Sequence, residues 1–155
     1  MNQVSGCIRM LWVCAMALLL YGCSSFPGVQ GDQPPAPFKR NNILYIAAPE
    51  DFDAAVSRRD GLMVVCFTDK YCHSCKTYAS TFRKAAAAFA GLKSVYFISF
   101  DTFYAPEKAK RFNVKGLPAT VLVRNGAAVA TFAGPVGHDE LQRAVQEAIP
   151  QEAGP

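Results

Sequence analysis

Leu62-Met63-Val64-Val65-Cys66-Phe67 is followed, after a short polar turn, by Cys72-His73-Ser74-Cys75 and a helical pattern running to Ala90. The first stretch is an unbroken, valine-rich apolar run bounded by turn-like residues. It predicts a strand buried on both faces, central in a sheet. From Cys72 onward, Cys75, Tyr78, Ala79, Phe82, Ala86 and Phe89 recur at helical spacing, with Gly91 as the expected stop. The cysteine pair therefore falls between a buried strand and the start of the longest helix. A helix N-terminus presents unpaired N–H groups and the positive end of the dipole, which favour a thiolate at Cys72. Lys70, Lys76 and, when protonated, His73 add positive charge. One helical turn brings Cys75 beneath Cys72, so that Cys75 can attack a mixed disulfide formed at Cys72.

Other uses of a CxxC pair fit less well. Tetrahedral zinc needs four ligands, and beyond this pair the mature chain offers only Cys66, His73 and His138. Covalent haem attachment needs a histidine directly after the second cysteine, where Lys76 stands. A permanent structural bridge remains open, although so small a loop stabilises a fold weakly in the entropy model.

Working outward, Ile43-Leu44-Tyr45-Ile46 is a short strand, and Pro49-Glu50-Asp51 opens a helix carrying Phe52, Ala55 and Val56. Downstream, Val95 to Phe100 is another strand, and Pro106 to Phe112 fits a short helix that starts at proline. Val121-Leu122-Val123 and Ala128 to Phe132 flank Asn125-Gly126, the strongest short hairpin signal. Leu141, Val145, Ala148 and Ile149 form the buried stripe of a last helix after Gly137. That order of elements predicts an α/β fold of three layers, α/β/α, with a mixed central sheet.

The 155 residues suffice for one domain, and 51% hydrophobic against 18% charged residues is a globular balance. The net charge of +4 is scattered, without a basic run interleaved with aromatics, so no nucleic-acid partner is expected. At the N-terminus, Arg9 precedes the apolar run Met10 to Tyr21, which is shorter than the roughly 20 residues a membrane-spanning helix needs. Residues 1–22 therefore read as a signal peptide, and the chain as exported. Leu20-Tyr21-Gly22-Cys23 resembles the bacterial lipobox, apart from Tyr21 at a position that is usually small or aliphatic. That resemblance implies lipid on Cys23 and a lipoprotein anchored to a membrane, facing the periplasm or the cell exterior. The alternative is a secretory peptide cut nearby. Residues 23–41, rich in Pro and Gly, read as a tether, 42–150 as the domain and 151–155 as a flexible tail. Of six cysteines, Cys7 and Cys14 leave with the signal peptide. Lipid on Cys23 leaves Cys66, Cys72 and Cys75, an odd number that argues for a thiol kept free.

From Ile43 to Ile149 the chain resembles the thioredoxin family, through the CxxC between strand and helix and through Val114-Lys115-Gly116-Leu117-Pro118-Ala119-Thr120. The resemblance implies that Pro118 is a cis-proline facing the cysteines and that the Leu117 backbone pairs with an extended substrate. Asn125-Gly126 and Gly134 match the family's last hairpin and the glycine after it. It further implies a monomeric protein thiol–disulfide oxidoreductase with no cofactor and no metal, acting on exported protein thiols and disulfides and supplied by a membrane or periplasmic electron donor. Several positions depart from the pattern. Tyr71 replaces a common tryptophan and is expected to pack beside the disulfide. Cys66 replaces a buried acid, Phe97 that acid's lysine partner, and Ser80 a helix-kinking proline, so a straighter helix is expected. Without the acid, resolution at Cys75 depends on water, on the leaving group or on Cys66. Cys66 is either a small buried hydrophobe or a third redox thiol. His73 and Ser74, between the cysteines, tune the potential together with Tyr71. His73 beside the thiolate argues for an oxidant, and the resemblance to exported single-domain reductants argues for a reductase, which is the expectation favoured. A disulfide oxidase or isomerase, or a copper-binding or adaptor module without catalysis, are the alternatives.

Overall fold

The computed structural model describes residues 32–149. The signal peptide and the lipidation of Cys23 lie outside the described residues, as do residues 24–31 of the tether and the tail 151–155.

The strands are β1 Phe38–Arg40, β2 Ile43–Ile46, β3 Leu62–Thr68, β4 Val95–Asp101, β5 Ala119–Arg124 and β6 Ala127–Ala133. The helices are α1 Pro49–Val56, α2 His73–Ala88, α3 Pro106–Arg111 and α4 His138–Ala148. The sheet runs β1-β2-β4-β3-β5-β6. β4 is parallel to both β2 and β3, whereas β5 runs antiparallel to β3 and to β6. This is a thioredoxin fold, a mixed sheet of six strands flanked by four helices.

The continuous apolar run of β3 has a direct cause. Leu62, Val64 and Cys66 pack on one face with Tyr78, Phe82 and Ala86 of α2 and with Leu141 and Val145 of α4. Met63, Val65 and Phe67 pack on the other face with Phe52 and Val56 of α1 and Ala109 of α3. Neither side of the strand meets water, so the alternation of a half-exposed strand is absent. On the second face the Phe52 ring lies 4.2 Å from Phe100 and 5.7 Å from Phe67, centroid to centroid. Gly61 leads into β3 with no room for a side chain: a Cβ there would sit 2.2 Å from the Ser94 carbonyl oxygen.

Three local features differ from expectation. Phe38–Arg40, inside the stretch read as tether, pairs antiparallel with β2 through a two-residue turn. Asn41 and Asn42 have φ of 51° and 62°, the double left-handed geometry of a hairpin turn that asparagine tolerates. Three exposed residues carry no hydrophobic alternation, so the Asn-Asn pair was the only sequence signal. Asn42 Nδ2 also donates to the Ala86 carbonyl at 3.1 Å, tying this turn to α2. Second, α2 stops at Ala88, short of Ala90; Gly91 is not among the left-handed glycines, and Ala90 N–H closes a tighter turn on the Ala87 carbonyl at 3.2 Å. Third, β5 begins at Ala119, directly after Pro118. No helix among the described residues is long and apolar enough to cross a membrane.

Candidate active site

The turn between β3 and α2 is organised by Asp69. Its side chain accepts from Tyr71 N–H at 2.7 Å, and its carbonyl from Cys72 N–H at 3.0 Å. This side-chain turn sets Cys72 in extended backbone (φ −76°, ψ 107°) as the N-cap of α2. The Cys72 sulfur takes the capping role usually filled by a hydroxyl or carboxylate, accepting from Cys75 N–H at 3.1 Å. A negative charge on that sulfur therefore faces a backbone donor and the positive end of the helix dipole. Cys72 and Cys75 form a disulfide, with 5.3 Å between their Cα atoms. Cys72 is half-buried and Cys75 is buried, 4% exposed, so an approaching sulfur meets Cys72 first.

His73 and Ser74 occupy the exposed first turn of α2. The Ser74 hydroxyl lies 3.4 Å from Cys72 Sγ and 3.5 Å from the Leu117 carbonyl oxygen, which brings the Leu117 loop against the cysteine pair. The Leu117–Pro118 peptide is cis. Pro118 is buried, and its carbonyl accepts from Gly134 N–H at 2.9 Å, which holds the loop to the end of β6. Tyr71 stands out into solvent, 76% exposed, and packs edge-on against Phe103 at 5.7 Å. Its packing partner is thus an aromatic from the loop after β4. Lys70 Nζ lies 3.7 Å from the Phe103 ring centroid.

Behind the pair, Cys66 is unpaired and 2% exposed. Burial pushes its thiol up to about 12, partly offset by a hydrogen bond with Thr120. Burial thus keeps this thiol protonated and unreactive at neutral pH. The geometry fits a small buried hydrophobe. Tyr78, raised to about 12 chiefly by burial, lies with its hydroxyl 3.0 Å from the hydroxyl of fully buried Thr120. The position of the usual buried acid is therefore filled by a neutral Cys66–Thr120–Tyr78 group. Beside Cys75, a cavity of about 300 Å³ opens between Tyr45, Thr68, Asp69, Lys70, Ser99 and Asp101. It brings solvent-accessible volume and two carboxylates to the wall that contains Cys75.

Sequence reasoning did not single out Asp69, Phe103, Thr120 or the cavity. An aspartate two residues before an exposed aromatic and three before a helix N-cap was a readable turn signal; the others depend on which strands become neighbours. Among the described residues, no group of three His, Cys, Asp or Glu side chains is placed to hold a metal ion. His138 opens α4.

A cysteine pair at a helix start, next to a cis-proline loop on a mixed sheet, defines the thioredoxin class. The model of the Thioredoxin family matches residues 44–147, and the chain belongs to that family. It is 27% identical over 99 residues to the Thioredoxin of Haemophilus influenzae, covering 64% of this chain and 91% of that protein. It is also 27% identical over 105 residues to Protein disulfide-isomerase A3 of Gallus gallus, spanning 68% of this chain and 20% of that longer protein. Among solved structures, a mutant thioredoxin from Halobacterium salinarum superposes with a TM-score of 0.61 at 19% identity, over 72% of this chain and 94% of that one. Thioredoxin from Schistosoma mansoni gives 0.60 at 20% identity, over 70% and 97%. The family and the CxxC pair support thiol–disulfide oxidoreductase chemistry as the general class of activity.

Proposed function

We propose that the protein is a membrane-anchored reductase of disulfides in exported proteins, working through Cys72 as nucleophile and Cys75 as resolving thiol. The observation that carries the exchange chemistry is the capping of Cys72 Sγ by Cys75 N–H at 3.1 Å, which stabilises a thiolate on the more exposed sulfur of the pair; the reductase direction rests on the resemblance to exported single-domain reductants. In the forward direction the Cys72 thiolate attacks a substrate disulfide, forming a mixed disulfide and releasing one substrate thiolate. Cys75 then attacks Cys72 Sγ, releasing the second substrate sulfur and closing the Cys72–Cys75 bond. Two electrons pass to the substrate, and the Cys75 proton passes to the leaving sulfur or to water in the adjoining cavity. Cys66 takes no part in this proton transfer. The backbone at Leu117 pairs with the substrate segment, and Pro118 holds that loop in place.

Lipid on Cys23 would anchor the chain, and residues 24–33 would let the domain reach at most about 36 Å from the membrane to meet a membrane or periplasmic electron donor. This arrangement suits short-range relay and supports the reductase direction. The donor reduces the Cys72–Cys75 bond after each turnover, returning two electrons and two protons to the pair.

Insulin reduction by the purified protein, driven by a small dithiol, tests the activity. Turnover that disappears in Cys72→Ser is expected; no turnover together with tight Cu(I) binding would replace the enzyme with a copper-binding module. The potential of the pair in a glutathione buffer tests direction: a value near that of thioredoxins supports the reductase, and one near the strong periplasmic oxidants overturns it. Palmitate labelling that is lost in Cys23→Ser tests the anchor.

A further inference from the structure

The Ser74 hydroxyl sits between two acceptors, 3.4 Å from Cys72 Sγ and 3.5 Å from the Leu117 carbonyl oxygen. A hydroxyl has one proton and rotates to suit, so it serves one of them at a time. The choice depends on the state of the cysteines. A disulfide sulfur is a weak acceptor, and in the oxidised structure the amide carbonyl of Leu117 is the better partner. A Cys72 thiolate carries a full charge and accepts a charge-assisted bond. The Leu117 carbonyl has no place in the sheet ladder, since β5 begins two residues later at Ala119, and the residue is half-buried rather than enclosed.

We propose that Ser74 is a redox-switched donor that controls access to the Leu117 carbonyl. In the disulfide form Ser74 O–H donates to that carbonyl; in the dithiol form it turns to the Cys72 thiolate and releases the carbonyl. No covalent bond changes in the swap; only the hydroxyl proton is redirected. Resting on the reading that substrates pair with the Leu117 backbone, the swap makes the dithiol form the better binder. A substrate N–H finds the carbonyl free before electron transfer and meets a competing donor afterwards, which favours release of the reduced product. Linkage requires the converse: a bound segment that donates to Leu117 favours the dithiol form and raises the potential of the pair. Ser74 thus acts as a positioning residue for substrate, through Leu117, and as a stabiliser of the Cys72 thiolate.

The test uses the purified full chain and insulin B chain alkylated at its cysteines, which can dock but cannot exchange. Wild-type protein should bind this probe roughly fivefold more tightly when reduced than when oxidised, the effect of one modest hydrogen bond. Ser74→Ala should bring the two affinities together, and Ser74→Thr, which keeps the hydroxyl, should preserve the difference. Two readouts need no substrate. The NMR carbonyl-carbon shift of Leu117 should change between redox forms in wild type and much less in Ser74→Ala. The pair in Ser74→Ala should be harder to reduce by about tenfold in equilibrium constant, a potential lower by about 30 mV. If the shift and potential respond to Ser74→Ala but the probe binds both wild-type forms equally or neither, docking at Leu117 is wrong and the control of access falls with it, although exchange chemistry stands. If neither the shift nor the potential moves in Ser74→Ala, the switch itself is overturned.

Discussion

Raising the pH from 8 to 11 should destabilise the domain through its two buried acids, and replacing Cys66 by valine should remove the larger share. Both groups stay neutral when folded: the Cys66 thiol is pushed from 9.0 to about 12 and the Tyr78 phenol from 10.0 to about 12, in each case mainly by burial. The unfolded chain releases these protons earlier, so their stabilising contribution is complete below pH 9 and drains away as the pH climbs towards 12. At pH 11 the loss is about 3 kcal/mol from Cys66 and about 1 kcal/mol from Tyr78. Cys66 is 2% exposed in β3, packed among apolar side chains, and valine there is close in volume and suited to a strand. Urea unfolding followed by far-ultraviolet circular dichroism at pH 8 and pH 11 gives the comparison. Ionisable groups away from Cys66 contribute equally to both proteins and cancel, while Tyr78, whose phenol is raised in small part by the Cys66 charge, changes less than Cys66 itself. Wild type should lose about 3 kcal/mol more than Cys66→Val over that interval. Equal losses in the two proteins would mean that Cys66 is not held as a buried neutral thiol, and its exclusion from the redox chemistry would fail with it.

Gly61→Ala should destabilise by about 3 kcal/mol or more, because its Cβ would press to 2.2 Å on the Ser94 carbonyl oxygen, an atom that also accepts from Leu62 N–H at 2.8 Å. A lowered urea midpoint with an unchanged slope would show it. Thr120→Val should cost about 1–3 kcal/mol by leaving the buried Tyr78 hydroxyl without its 3.0 Å partner. The double variant with Tyr78→Phe should recover much of that loss, since no polar group is then stranded, and strictly additive losses would refute the pairing. Asp53→Ala removes contacts from α1 to Lys108 at 2.5 Å and Arg111 at 3.4 Å of α3, yet Asp53 is 43% exposed, so the change should stay below about 1 kcal/mol.

Most of the architecture was legible because its elements are strongly marked. The unbroken run Leu62 to Phe67 announced a strand covered on both faces, and the two core clusters on either side of β3 are the physical reason. Asn125-Gly126 marked the last hairpin, where both residues adopt left-handed backbone, φ 55° and 79°. β1 escaped notice because three residues are too few to show a period, and although Phe38 stacks on Tyr45, all three stay exposed. At the site, the placement of Cys72 and Cys75 could be read from their neighbours in the chain. The Thr120–Tyr78 pair, the contact of Tyr71 with Phe103 and the approach of Ser74 to Leu117 could not. Each joins residues more than 30 positions apart, and only the strand order brings them together. Cys66 was ambiguous for the same reason, since a thiol's reactivity depends on its surroundings, here a dry interior that holds its proton.

In the proposed cycle the more exposed, capped sulfur of Cys72 is the attacking group and the buried Cys75 the resolving one. Cys75→Ser removes the second step and leaves the first intact, so incubation with a disulfide-containing substrate such as insulin should accumulate a mixed disulfide. Peptide mapping by mass spectrometry should find that adduct on Cys72, with Cys66 recovered as free thiol. An adduct on Cys66, or none on Cys72, would contradict this assignment.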